Sequence, residues 1–143
     1  MSAEPVRVYY DRIEPVAVDR IEDLDALLDR VAANPEYQEF PVMVSLETGD
    51  KEHVLEICLG RQDLSMLVWH HAFLDVAASK GSLHQPADLA YNFGGSRTDA
   101  YDSSAIPVAT ARQAVREFFS TNGQRPTCLE WQTPNYGEQG ETA

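Results

Sequence analysis

Four histidines and two cysteines are the side chains of this sequence best suited to ligate a metal or attack a substrate. His70 and His71 are adjacent, and neighbours on a strand point to opposite faces. A regular strand therefore cannot offer both to one ion. His53 could approach one of them across a sheet, with Asp75 or Glu56 to complete a ligand set, but no spacing imposes that arrangement. The polar end of a strand is the simpler place for His70 and His71, so no metal and no other cofactor is expected. Cys58 with His70 or His53 is the strongest nucleophile–base pair on offer. A nucleophilic thiol needs an electropositive, partly exposed setting, whereas Cys58 lies in an apolar run beside Glu56. Cys58 and Cys128 are far apart in the chain and form no C-x-x-C, so they read as reduced thiols that behave as small hydrophobes. No G-x-S-x-G, P-loop, H-E-x-x-H or H-x-E pattern occurs. The chain reads as a non-enzyme. The alternative is a small enzyme or ligand-binding α+β domain that uses His70, His71 or Cys58.

Charge is the next signal, and on composition alone its first reading is solubility. The net charge is −12 over 143 residues, and residues 1–52 alone hold 13 acidic against 5 basic side chains. A field of that sign repels nucleic acid and phosphorylated ligands and attracts basic proteins. No apolar run reaches the length of a membrane span, and the opening MSAEPVRVYYDR lacks a basic segment followed by an apolar one. The expectation is a cytoplasmic protein with neither a membrane nor a nucleic acid as partner.

The elements that would position these groups follow from periodicity. Val6 to Tyr10 reads as a short edge strand. Asp19 can cap a helix over residues 20–33, with Glu22 completing a capping box. Ile21, Leu24, Leu28 and Val31 form its buried stripe, with Leu27 at the margin, while Glu22, Asp25 and Asp29 lie opposite as a solvated face. Asn34-Pro35 ends it. Val42, Val44 and Leu46 alternate, as do Leu55, Ile57 and Leu59, and Leu64 to His71 forms a third strand. Turn chemistry at Glu47-Thr48-Gly49-Asp50 and Gly60-Arg61-Gln62-Asp63 joins them as an antiparallel meander. Phe73 to Gln85 reads as a loop or a weak helical turn, and Leu89 to Phe93 as a further strand broken by Gly94-Gly95. The fold class is α+β, a meander of four to six strands with two main helices packed on it, in one domain over residues 1–133. Residues 134–143 read as a disordered polar tail.

The second helix carries the most information. Pro107 is preset for a first helical position. Val108, Ala111, Val115 and Phe119 recur at helical spacing with Phe118 beside them, and the helix stops at Asn122-Gly123. Pro126 bars resumption, and Thr127 to Trp131 suits a strand. Arg112 and Arg116 flank the apolar stripe, and Glu130 could pair with them. This run, PVATARQAVREFFSTNGQRPTCLEW, resembles the C-terminal signature of the Imm1 family of bacterial immunity proteins. The residues that carry the likeness are Pro107, Ala114, Val115, Phe118, Thr121, Gly123, Arg125, Pro126, Glu130 and Trp131. Asn122 is an insertion relative to a compact Thr-Gly stop. The likeness is tight over this stretch and loose over the strands before it.

The resemblance implies an immunity protein that binds and inhibits a cognate toxin of a polymorphic toxin system, and points to a toxin that deaminates nucleic-acid bases. Such an enzyme has a basic substrate groove, which an acidic surface can occlude. Two segments can project from the sheet to do so. One is the first hairpin, with Glu47, Asp50 and Glu52. The other is the loop before the last helix, with Asp99, Tyr101 and Asp102. Glu130 and Trp131 suit either a structural or a contact role.

Overall fold

Strict alternation builds the centre of the molecule. In a computed structural model that describes residues 5–61, 63–72 and 75–134, Val42, Val44 and Leu46 turn one way and Met43, Ser45 and Glu47 the other. The chain runs β1 (Val6–Tyr10), β2 (Val16–Val18), α1 (Ile21–Ala33), α2 (Pro35–Glu39), β3 (Val42–Glu47), β4 (His53–Leu59), β5 (Leu64–Ser65), β6 (Leu67–His71) and β7 (Asp75–Ser79). It continues through β8 (Ala90–Phe93), β9 (Ser96–Asp99), β10 (Ile106–Pro107), α3 (Val108–Ser120) and β11 (Trp131–Gln132). This is an α+β fold. The expected tail lies outside the described residues apart from a buried Pro134. No helix among the described residues is long and apolar enough to cross a membrane.

The sheet is larger than expected, with nine strands. Its main path is β11-β7-β6-β4-β3-β1-β2, antiparallel throughout, while β8 touches β3 in parallel at Val42↔Asn92 and pairs with β9. The meander of β3, β4 and β6 is as the alternation predicts. The additions come from segments with weak local signals. Asp75–Ser79, expected as loop, is a strand because Ala77 and Ala78 pair with Trp69 and Val68. Small residues have little strand preference of their own, and burial against neighbours decides. Val6–Tyr10 is internal rather than an edge, since β2 pairs on its far side. The third strand breaks at Met66 because Leu64 and Ser65 turn away to pair with Pro107 and Ile106.

The helices cover one face, here called the inner face. Leu24, Leu27, Leu28 and Val31 of α1 and Ala111, Ala114, Val115 and Phe118 of α3 are buried on Val44, Leu46, Leu55, Ile57 and Leu67. Each fully buried Leu or Phe contributes about 1.5–3 kcal/mol. On α3 the buried aromatic is Phe118, and Phe119 is only half-buried, the reverse of the expected stripe. The outer face has a smaller core of Met43, Cys58, Met66, Val68 and Tyr91, onto which Ala100 and Tyr101 pack.

Helix ends differ from expectation by one residue. Arg20, not Asp19, is the N-cap of α1, and no side chain caps it; the Arg20 carbonyl already accepts from Asp23 and Leu24. Asn34 ends α1 but also caps a new helix, its side chain accepting from Glu36 N at 2.9 Å, so Pro35 starts α2. Pro107 is the N-cap of α3 rather than its first residue, because its extended backbone (ψ 142°) closes β10. The stop of α3 is as the residues dictate. Asn122 and Gly123 take positive φ of 57° and 103°, Gly123 N donates to Phe118 O and Asn122 N to Phe119 O, the paired bonds of a Schellman motif. The strand expected over Thr127–Trp131 shrinks to Trp131–Gln132. Thr127 is held instead by Glu117, and the Trp131 indole folds back to donate to Pro126 O at 2.8 Å.

Gly123 is pressed onto the sheet, and a Cβ there would lie 2.7 Å from His53 Cβ and 2.8 Å from Thr48 Cγ2. Gly123→Ala should therefore lower unfolding stability by about 2–3 kcal/mol, read as a lower urea midpoint. Asn122→Gly, at a residue already left-handed, should leave the midpoint nearly unchanged.

Candidate functional site

The outer face is only partly covered. Below the level of Ser45 it is closed by Ala100 and Tyr101. Above it, two rows cross five strands, β1, β3, β4, β6 and β7. One reads Arg7, Glu47, Val54, His70 and Val76; the other begins Tyr9, Ser45, Glu56. All are at least partly exposed except Glu56, which is 9% exposed. His70 Nε2 lies 3.1 Å from Glu56 Oε1, and the Ser45 hydroxyl donates to Glu56 Oε2 at 3.4 Å. An ionised carboxylate only accepts, so the imidazole nitrogen facing it carries the proton. The Tyr9 hydroxyl donates to Glu47 Oε1 at 3.0 Å. Phe93 follows Tyr91 on the same side of β8 and is 42% exposed.

The six acidic and aromatic residues singled out from the sequence form two groups at opposite ends of the sheet. Glu47, Asp50 and Glu52 lie at the end where His53 pairs with His71. Asp50 accepts from Thr48 Oγ1 at 2.6 Å and from Glu52 N at 2.9 Å, and the Thr48 bond is the main cause that lowers its pKa. Asp99 and Asp102 lie at the other end, exposed, around a hollow of about 860 Å³ that Arg97 also lines. Arg97 stands 3.8 Å from Asp99. Tyr101 is half-buried and packs on the outer-face core, which makes it a structural side chain more than a projecting one. The sequence reading grouped Glu56 and His70 only as a possible metal-ligand set with His53, and did not single them out as a contact site. The available signal was the alternation that puts Glu56 on the face of Ser45 and His70.

The histidines divide between the faces as the strand geometry requires. His53 and His71 face inward and stack at 4.6 Å with planes 7° apart, beside Trp69. Trp69 Nε1 donates to Gly123 O at 2.9 Å, and the Arg125 guanidinium lies 5.9 Å from the Trp69 ring centre. His84 is exposed on a loop. No group of three His, Cys, Asp or Glu among the described residues could hold a metal. Cys58 is 1% exposed on the outer side, and burial pushes its thiol up to about 12. His53 is on the other face and His70 is engaged by Glu56, so the nucleophile pairing has no geometric basis. Both cysteines are unbridged.

The arginines of α3 also find other partners than expected. Arg112 pairs with Asp25 at 3.4 Å and Asp29 at 3.0 Å, and Arg116 with Asp25 at 3.2 Å. The acidic face of α1 is thus partly neutralised within the chain, and Glu130 meets Lys80 at 3.7 Å instead. The Trp131 indole is engaged within the chain by its bond to Pro126 O.

A family model described as immunity protein Imm1 matches residues 12–133. No curated protein matches the chain.

The buried thiol generates a pH prediction. The folded pKa of Cys58, about 12, lies above the ordinary 9.0. Its contribution is intact below pH 9 and is lost as pH rises toward 12, because the unfolded chain releases the proton first. Tyr37, raised by burial and by its bond to Asp11, acts in the same direction. Urea midpoints should fall steadily over that window. Titration of the denatured, unreduced protein should find both thiols, while in the native protein Cys58 should resist an aromatic disulfide reagent that reaches Cys128.

Proposed function

The chain belongs to the Imm1 family of immunity proteins, and we propose that it binds a cognate toxin in the cytoplasm they share and blocks that toxin's active site. Family membership is the observation that carries the reading. The toxin class implied by the C-terminal signature is a nucleic-acid deaminase, an enzyme that must present a basic groove to its substrate. A net charge of −12 complements such a groove and accelerates encounter.

Glu47, Asp50 and Glu52 at one end and Asp99, Tyr101 and Asp102 at the other are the proposed contact sets. β4 has seven residues, so the ends lie roughly 23 Å apart. A standard interface covers about 800 Å² per partner, roughly 30 Å across, and can engage both. Exposed charges of this kind set the rate of association, while buried anchors set the rate of dissociation.

Co-expression tests the reading. The native protein should suppress the toxicity of the toxin encoded beside it and form a complex with it. Charge reversal at Asp99 and Asp102, or at Glu47 and Asp50, should slow association about tenfold and flatten its salt dependence. Neither complex nor protection would end the immunity reading. Protection that both reversals leave untouched would move the contact surface elsewhere.

A further inference from the structure

Glu56 is the deepest charge on a face that no helix among the described residues covers. Its partners within the chain are the His70 imidazole at 3.1 Å and the Ser45 hydroxyl at 3.4 Å, and no lysine or arginine pairs with it among the described residues. A buried carboxylate is costly unless paired, and glutamine would keep the same shape with no such cost. Arg7 is the basic side chain of this face among the described residues, and it stands at the rim on β1, across from Glu47. Around Glu56 the face offers what a long cationic side chain needs: Val54 and Val76 for its stem, a second carboxylate at Glu47, and the rings of Tyr9 and Phe93 at the border.

Resting on the immunity reading, we infer that the open outer face between β1 and β7 is the centre of the toxin-binding surface. Its occupant is a basic segment of the toxin's substrate groove, which places an arginine or lysine against Glu56 and Glu47. Charge complementarity selects this occupant over a second copy of the chain, whose net charge of −12 would be repelled. The two acidic loops at either end of the sheet then form the rim of the same surface. The acidic side of α1 is a weaker candidate for the centre, because Arg112 pairs with Asp25 and Asp29 and Arg116 with Asp25.

The test uses the full chain and the catalytic domain of the toxin encoded beside it. Glu56→Gln, nearly isosteric, should weaken binding at least tenfold. Val54→Arg, which plants a guanidinium between Glu47 and His70, should weaken it a hundredfold or more. Both should unfold at temperatures close to that of the native protein, and Gln113→Arg on the helix side should bind normally. Should Val54→Arg fail to fold, Glu56→Gln decides alone. If the native protein binds and protects while Glu56→Gln and Val54→Arg do so equally well, the face is not the site, and the immunity reading stands. If the native protein neither binds nor protects, that reading fails and the inference with it. If Val54→Arg alters self-association but not toxin binding, the face belongs to a second copy and the inference is overturned.

Discussion

The bond from the Trp69 indole to the carbonyl of Gly123 fixes where the last helix ends on the sheet. A glycine is required there because the backbone is left-handed and lies against His53 and Thr48. Once that end is pinned, Phe118, Val115, Ala114 and Ala111 fall in line over the inner face, and Arg112 and Arg116 reach α1 through Asp25. The residues after Gly123 follow from the same anchor. Pro126 receives the Trp131 indole and Thr127 is held by Glu117, which delivers β11 to the edge of β7. The stretch that carries the family likeness is therefore a device that locks both helices onto one side of the sheet. Its consequence for function is indirect: the opposite side stays open.

How the acids are distributed then matters more than how many there are. Some are consumed inside the chain, as Asp25 and Asp29 are by α3 and Asp11 is by Tyr37 and Asn92. Others, such as Asp50, satisfy a turn. Asp99 and Asp102 remain exposed, and the first meets Arg97 at 3.8 Å. Glu56 differs from all of these in being nearly buried and yet on an open face. A solvated charge steers a partner over a Debye length of about 8 Å. A desolvated one discriminates among the groups that reach it. This sheet has both kinds, exposed acids toward its two ends and one nearly buried acid between them.

Much of this architecture was legible before any coordinates. Both long helices, the β3–β4–β6 meander and the opposite facing of His70 and His71 follow from periods of 3.6 and 2, because each element has a strong pattern of its own. What escaped was set by tertiary context. β7 is small residues recruited by Trp69 and Val68, and β5 exists only because Pro107 lies beside Leu64. Glu130 was the partner in view for Arg112, whereas its actual partner Asp25 lies 87 residues away in the chain. The same limit left Glu56 and His70 as mere candidates for a ligand set. Glu56 and His70 are fourteen residues apart, and only the register of β4 with β6 makes them neighbours. The exposed acids, by contrast, were easy to name because turn chemistry is local, and their ease of recognition says little about their share of the contact.

A crystal structure of this protein bound to the catalytic domain of its cognate toxin tests the central claim most directly. The account predicts that the toxin sits on the outer face of the sheet, with an arginine or lysine from its substrate groove within hydrogen-bonding distance of Glu56 or Glu47. A toxin seated instead on α1 and α3, or one that leaves Val54 and Glu56 open to solvent, would contradict it.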